Sequence, residues 1–175
     1  MTESDLETLR ASFRGEIRFD RSSRLMYATD ASIYREEPLA VAYPFDSNDI
    51  RQLLSFAALH GCGIIPRAAG TSLAGQVVGS GIVADLSRHF KRVLEINTEE
   101  KWVRLEPGVV PDELNAILRD HGLLFGPETS TSNRCNIGGM IGNNGCGLHS
   151  LVYGSVRDHI IEVKAMLHDG SVAVF

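Results

Sequence analysis

The sequence predicts an α+β protein built from two small subdomains, and three observations carry that prediction. Strand-length apolar runs are interleaved with helix-period segments up to about residue 86, a hairpin pattern around residues 93–105 begins a second sheet, and two stretches rich in glycine and other small residues interrupt the regular pattern, Arg67–Gly75 and Ile137–Gly147. The 175 residues suffice for one ordinary domain or two subdomains sharing a core, with 43% hydrophobic residues to fill it. The boundaries read as an N-terminal extension over 1–26, a first subdomain over 27–91 and a second over 92–175.

Along the chain, Ser4 with Glu7 matches a capping box ahead of Leu6, Leu9 and Phe13, predicting a short amphipathic helix over 4–14. The stretch from there to Tyr34 has no clean period. Leu39–Tyr43 reads as a buried strand ended by Pro44, and Ser47 reads as the cap of a helix whose Ile50, Leu53, Leu54, Ala57 and Ala58 share one face. Gly61 and Gly63 end that helix, and Ile64-Ile65 starts a strand running straight into the first small-residue stretch. Gly81–Leu86 is a further strand, and Val93–Ile96 with Trp102–Leu105 is the hairpin. Pro111 suits the first turn of a helix with Leu114, Ile117 and Leu118 on its apolar face, closed by Gly122. Residues 126–136 are a polar loop. Ile160–Leu167, the turn at 168–170 and Ser171–Phe175 read as a strand pair without a closing element, as expected of a fragment of something longer.

Composition excludes several functions. A net charge of −5 with no Lys/Arg block argues against nucleic acid as a partner. Cys62, Cys135 and Cys146 form no CxxC pair and are odd in number, so neither a disulfide framework nor a local cysteine metal site is expected. None of the six histidines has metal-ligand spacing with another, and the reading for all six is solvated or capping. The acidic N-terminus lacks a signal-peptide layout and no apolar run approaches the ~20 residues that span a bilayer. The expectation is a cytoplasmic protein with no metal site.

Small residues let main-chain N–H groups approach a phosphate closely, so both small-residue stretches suggest a nucleotide cofactor. Gly70–Gly75 has the glycine spacing of a P-loop, yet Gln76 and Val77 stand where Lys and Ser/Thr must be, which speaks against nucleoside triphosphate hydrolysis. Gly79-Ser-Gly81-Ile-Val-Ala84 has dinucleotide-fingerprint spacing, but it precedes a strand-like run instead of opening a helix. Taken alone, Arg67–Gly75 is either a plain turn or a phosphate cradle. Ile137–Gly147 is either backbone crowding a flat or charged ligand or a tightly packed helix-to-loop transition, and Asn143 and Asn144 are either ligand partners or αL turn residues.

The order of several motifs decides more than any one of them: Pro44 after a buried strand, Ile64–Gly75, Val83-Ala-Asp-Leu-Ser87, Glu106-Pro-Gly-Val109, Gly126-Pro-Glu-Thr-Ser130, Ile137-Gly-Gly139 and Tyr153-Gly154. From about Tyr27 to the C-terminus this resembles the PCMH-type FAD-binding domain of the p-cresol methylhydroxylase and vanillyl-alcohol oxidase superfamily. Within it the chain is most similar to the FAD-linked D-lactate, glycolate and D-2-hydroxyglutarate dehydrogenases. The resemblance implies FAD in the crevice between the subdomains, with Arg67, Ala68, Ala69, Gly70, Thr71, Ser72, Leu73 and Gly75 wrapping the pyrophosphate. Pro107 and Gly108 would pass near the cofactor, Pro127, Glu128, Thr129 and Ser130 would line the pyrophosphate and isoalloxazine, Gly138, Gly139, Asn143 and Gly147 would press on the flavin, and Tyr153 and Gly154 would close that wall.

Members with covalently bound flavin carry a histidine where this chain has Thr71, so the resemblance implies non-covalent FAD. It also implies that the chain is an N-terminal piece, inactive alone, whose parent oxidises a D-2-hydroxy acid and passes electrons to an acceptor. The catalytic residues, and in one branch iron-sulfur clusters, would lie further along, and the parent could associate peripherally with membranes. Two other readings stay open: a different FAD enzyme of the same fold, such as the reductase of cell-wall precursor synthesis, and a non-catalytic module.

Overall fold

The computed structural model describes residues 2–175, which divide into two compact units: the chain up to His89 together with Glu162–Phe175, and Phe90–Ile161. The division falls close to residue 91, but the C-terminal strand pair groups with the first unit rather than the second.

In the first unit, helix α1 (Glu3–Ser12) starts two residues earlier than the Ser4–Glu7 pattern suggests. Thr2 is the cap: its Oγ1 accepts the Asp5 N–H at 3.3 Å while Asp5 Oδ2 accepts the Thr2 N–H at 2.6 Å, satisfying both ends of the first turn. Strand β1 (Glu16–Arg18) and helix α2 (Arg21–Met26) occupy the stretch that showed no period; both are too short to display one. Asp20 caps α2, accepting the N–H and the hydroxyl of Ser23 at 3.0 and 2.7 Å.

Strand β2 (Ala40–Tyr43), helix α3 (Ser47–His60), strand β3 (Ile64–Arg67) and strand β4 (Ile82–Asp85) complete a four-stranded sheet of order β1-β2-β4-β3, antiparallel at β1–β2 and parallel elsewhere. All four residues of β2 and of β4 are buried, which explains why both read as continuous Val/Ile/Ala runs rather than as alternating ones. Asp46, not Ser47, caps α3, accepting the N–H groups of Asn48 and Asp49 at 2.9 and 3.2 Å. Asp49, fully buried at the start of this helix, accepts the N–H groups of Arg14, Gly15 and Phe45 at 3.0, 2.8 and 2.8 Å, so one carboxylate ties the approach to β1 and the exit from β2 onto α3. Leu6, Leu9, Phe13, Ile17, Leu53 and Ile82 form the core between helices and sheet.

The second unit holds the expected hairpin, strand β5 (Val93–Asn97) with strand β6 (Trp102–Leu105), irregular in register between Val93 and Glu95. Glu106 closes it by accepting from Arg92 N, Nε and Nη2 at 2.8, 3.1 and 2.7 Å. Burial acts to raise the Glu106 carboxyl, but these bonds outweigh it and hold the group below its ordinary range. Helix α4 (Pro111–Arg119) buries Leu114 and Leu118, each contributing on the order of 2 kcal/mol, against Val109, Cys135, Ile137, Met140 and Val156.

Beyond the expected elements come helix α5 (Ile137–Gly142), helix α6 (Ser150–Tyr153) and a 3₁₀ turn over Val156–His159. The final strands, β7 (Lys164–Met166) and β8 (Val172–Val174), pair antiparallel around the 168–170 turn and are shorter than the apolar run suggested. Among the described residues no helix is long and apolar enough to cross a membrane.

Candidate cofactor site

The first small-residue stretch leaves the end of β3 and returns to β4, its neighbour in the sheet, so its root is set by the Arg67↔Asp85 register. The Arg67 guanidinium lies over the Tyr27 ring at 5.0 Å and Nη1 donates to the Tyr27 carbonyl at 3.4 Å. The Tyr27 hydroxyl donates to Asp85 Oδ2 at 2.6 Å, and Asp85 Oδ1 accepts the N–H and hydroxyl of Ser87 at 2.8 and 2.6 Å. Burial, and then the bond to Asp85, push the Tyr27 phenol far above its ordinary value, so it stays protonated and keeps donating.

The loop rests on the segment after Tyr27. Ala31 N–H donates to the Gly70 carbonyl at 3.1 Å, and a Cβ on Gly75 would meet the Tyr34 ring at 2.7 Å. Gly70 adopts φ +65°, in the left-handed region that only glycine enters without cost. Ser72 Oγ accepts the N–H groups of Ala74 and Gln76 at 3.3 and 3.4 Å. By contrast, the N–H groups of Ala68, Ala69, Gly70, Thr71, Ser72 and Leu73 have no partner among the described residues. A run of unspent donors beside an arginine is the chemistry of an anion cradle.

In the second unit, Pro107 and Gly108 are laid against the start of α5. Gly138 N–H donates to Pro107 O at 2.8 Å, Ile137 N–H to Val109 O at 2.9 Å and Asn136 Nδ2 to Gly108 O at 2.8 Å. A Cβ on Gly138 would lie 2.5 Å from Pro107 Cβ and 3.1 Å from Pro107 O, so this glycine is required by the protein's own packing. Gly147 has a similar internal reason, the backbone of Glu128, whereas a Cβ on Gly142 would meet nothing within 4 Å. Gly139, Gly142 and Asn143 form the exposed face of α5, opposite buried Ile137 and Met140. The segment is thus a tightly packed helix-to-loop transition that also presents bare backbone. Asn144 takes the left-handed turn position at φ +45° and accepts the Arg157 N–H at 3.0 Å, while Asn143 is right-handed.

The loop at 126–132 and the stretch from Gly147 to Gly154 border a cleft of about 280 Å³, lined by Asp112, Phe125, Pro127, Glu128, His149 and Tyr153 among others. His149 is not merely solvated: its Nδ1 lies 2.7 Å from Glu128 Oε1, which also accepts the His149 N–H at 3.2 Å. The His149 bond is the main cause holding the Glu128 carboxyl below its ordinary value of 4.5. A depressed carboxyl stabilises the fold above its unfolded pKa and loses that contribution as pH falls through the folded one. The Glu128 side-chain carbon resonance should therefore titrate with a midpoint below 4.5, and a midpoint at or above it would show the pair absent in solution.

Other members of the set are held by internal contacts. Thr129 Oγ1 lies 3.3 Å from both Thr131 Oγ1 and Cys135 Sγ, Pro127 is buried and Ser130 exposed. The Tyr153 ring covers Gly126, its carbonyl lies 2.6 Å from His159 Nε2, and Gly154 ends α6 with φ +71°. Sequence reasoning did not single out Tyr27, Asp85, Asn136 or the His149–Glu128 pair as parts of the site. An acidic residue ending an otherwise apolar strand was the available signal for Asp85. No group of three or more His, Cys, Asp or Glu side chains that could hold a metal ion occurs among the described residues.

The chain is similar to known proteins along most of its length. The family model described as "FAD binding domain" matches residues 38–175. The D-2-hydroxyglutarate dehydrogenase of Pseudomonas putida is 46% identical over 169 residues, spanning 94% of this chain and 17% of that protein. Glycolate oxidase subunit GlcD of Bacillus subtilis is 31% identical, spanning 98% of this chain and 37% of that one. The solved structure of an alkyldihydroxyacetonephosphate synthase superposes with a TM-score of 0.87 at 18% identity, covering 100% of this chain and 35% of that one, a likeness of fold alone. The chain thus spans about a sixth to a third of the length of these curated relatives.

Proposed function

The chain belongs to the FAD binding domain family, and from that premise we propose that Arg67 and the N–H groups of residues 68–73 receive the FAD pyrophosphate. The observation that carries this reading is the run of unpartnered donors after β3, anchored by the Arg67–Tyr27–Asp85 network. Pro107, Gly108, Gly138, Gly139, Asn143 and Gly147 supply backbone and small side chains to the flavin. Glu128, ionised and paired with His149, is a poor neighbour for a dianionic pyrophosphate, so the 127–130 segment meets the uncharged part of the cofactor. Tyr153 and Gly154 complete that wall. Thr71 offers no nucleophile comparable to a histidine, so the cofactor is held without a covalent bond.

The protein carrying this chain oxidises a small D-2-hydroxy acid and passes the electrons to an acceptor, a reading supported by the 46% identity to a protein named for D-2-hydroxyglutarate. FAD supplies the hydride-accepting chemistry, and the residues described here bind and orient it.

The test is an absorption spectrum of the purified chain after incubation with FAD and gel filtration. A retained flavin band that moves wholly into the supernatant on acid precipitation is the expected result. No retained band would overturn cofactor binding by this chain, and a yellow precipitate would overturn non-covalent attachment. For the whole protein, bleaching of the flavin by D- but not L-2-hydroxy acids is expected.

A further inference from the structure

We infer that Asn136 is a positioning residue for cofactor binding, kept for the geometry it imposes on the Pro107–Gly108 turn and not for stability; the inference rests on the FAD reading above. Asn136 is 2% exposed and stands immediately before α5, where an asparagine ordinarily turns its oxygen back to accept a helix N–H. It makes no such cap bond. Instead its Nδ2 donates to Gly108 O at 2.8 Å, and its Oδ1 is buried with no partner among the described residues. The amide cannot be turned over, because that would set Oδ1 against the Gly108 carbonyl, acceptor against acceptor.

One donated hydrogen bond contributes less to folding than a stranded buried acceptor costs, so this side chain does not stabilise the fold by its own contacts. What it does is complete a clamp. Asn136, Ile137 and Gly138 donate to the carbonyls of Gly108, Val109 and Pro107, binding three consecutive residues of the turn to three consecutive residues of the helix start. Gly108 N–H is held in turn by Phe90 O at 2.7 Å. Both clamped segments are ones the FAD reading assigns to the flavin, and Gly139, whose N–H has no partner among the described residues, follows directly. The clamp therefore sets where two cofactor-contacting stretches lie relative to each other.

The test uses Asn136→Ala and the near-isosteric Asn136→Asp, which keeps the shape but loses the donor. Alanine moves the unpaired acceptor from Oδ1 to Gly108 O without adding one, so the melting temperature of the cofactor-free chain should equal that of the wild type. Amide exchange at Ile137 and Gly138 should accelerate by about tenfold or more, and the FAD Kd should rise by at least about tenfold in both variants. Unchanged Kd in both variants would overturn the positioning role. Unchanged exchange would overturn the clamp, and a large fall in melting temperature with exchange accelerated throughout the chain instead of at Ile137 and Gly138 would mark the residue as merely structural. A wild-type chain that holds no FAD would sink the cofactor reading itself, while the exchange rates would still report on the clamp.

Discussion

Substituting Gly70 by valine is expected to weaken FAD binding by about a hundredfold while leaving the chain folded. At φ +65° a β-branched residue is an outlier, and a Cβ there would press into the Arg67 guanidinium. Arg67 is a long side chain and can move, but the backbone strain, about 1–3 kcal/mol, remains. The loop relieves it by rotating, which pulls the Gly70 carbonyl off Ala31 N–H and reorients the neighbouring N–H groups of residues 69–71. Three kcal/mol taken from binding corresponds to roughly 150-fold in Kd. Gly70→Asn, which tolerates the left-handed region, should lose much less. Flavin fluorescence titration reads the effect, and a valine variant within about threefold of wild type would show that the loop is not the cradle.

Replacing Asp49 by leucine should instead destabilise the first unit, by about 3–5 kcal/mol. Asp49 has no exposed surface and accepts three backbone N–H groups, from Arg14, Gly15 and Phe45. The three bonds are part-buried, so each donor left without a partner costs up to about 1–3 kcal/mol, and water reaching some of them keeps the sum below the additive limit. Against a typical total of about 5–15 kcal/mol the loss is large. Urea unfolding should show a lower midpoint with an unchanged slope, and a change under about 1 kcal/mol would mean that the three N–H groups find other partners.

The elements legible in the sequence were those whose evidence is local. β2, β4, the β5–β6 hairpin, α3 and α4 each have an apolar run or a helical stripe within their own residues, and the structure places all of them where the pattern indicates. The caps of α1 and α3 were misassigned because Ser4 and Ser47 are as good cap formers as Thr2 and Asp46; the choice depends on which side chain reaches the first-turn donors. β1 and α2, of three and six residues, are too short for periodicity and exist because β2 and the core give them something to pair with and pack on. That β7–β8 group with the first unit is likewise a tertiary fact, since the two strands pair only with each other and nothing in their own residues marks the unit they join.

For the candidate site, the sequence alone determined the stretches in which backbone can be bared, since glycine, alanine, serine and threonine at Arg67–Gly75 and Ile137–Gly147 are a property of composition and order. Tertiary structure decided which contacts each residue in them makes. The Tyr27–Asp85 bond spans 58 residues and the Asn136–Gly108 bond 28, separations at which no local pattern survives. Gly138 and Gly147 proved to be glycine because Pro107 and Glu128 crowd them, while Gly142 faces open space, a distinction that rests on atoms distant in sequence. A residue's identity limits which contacts it can make; only the folded chain selects which partner arrives.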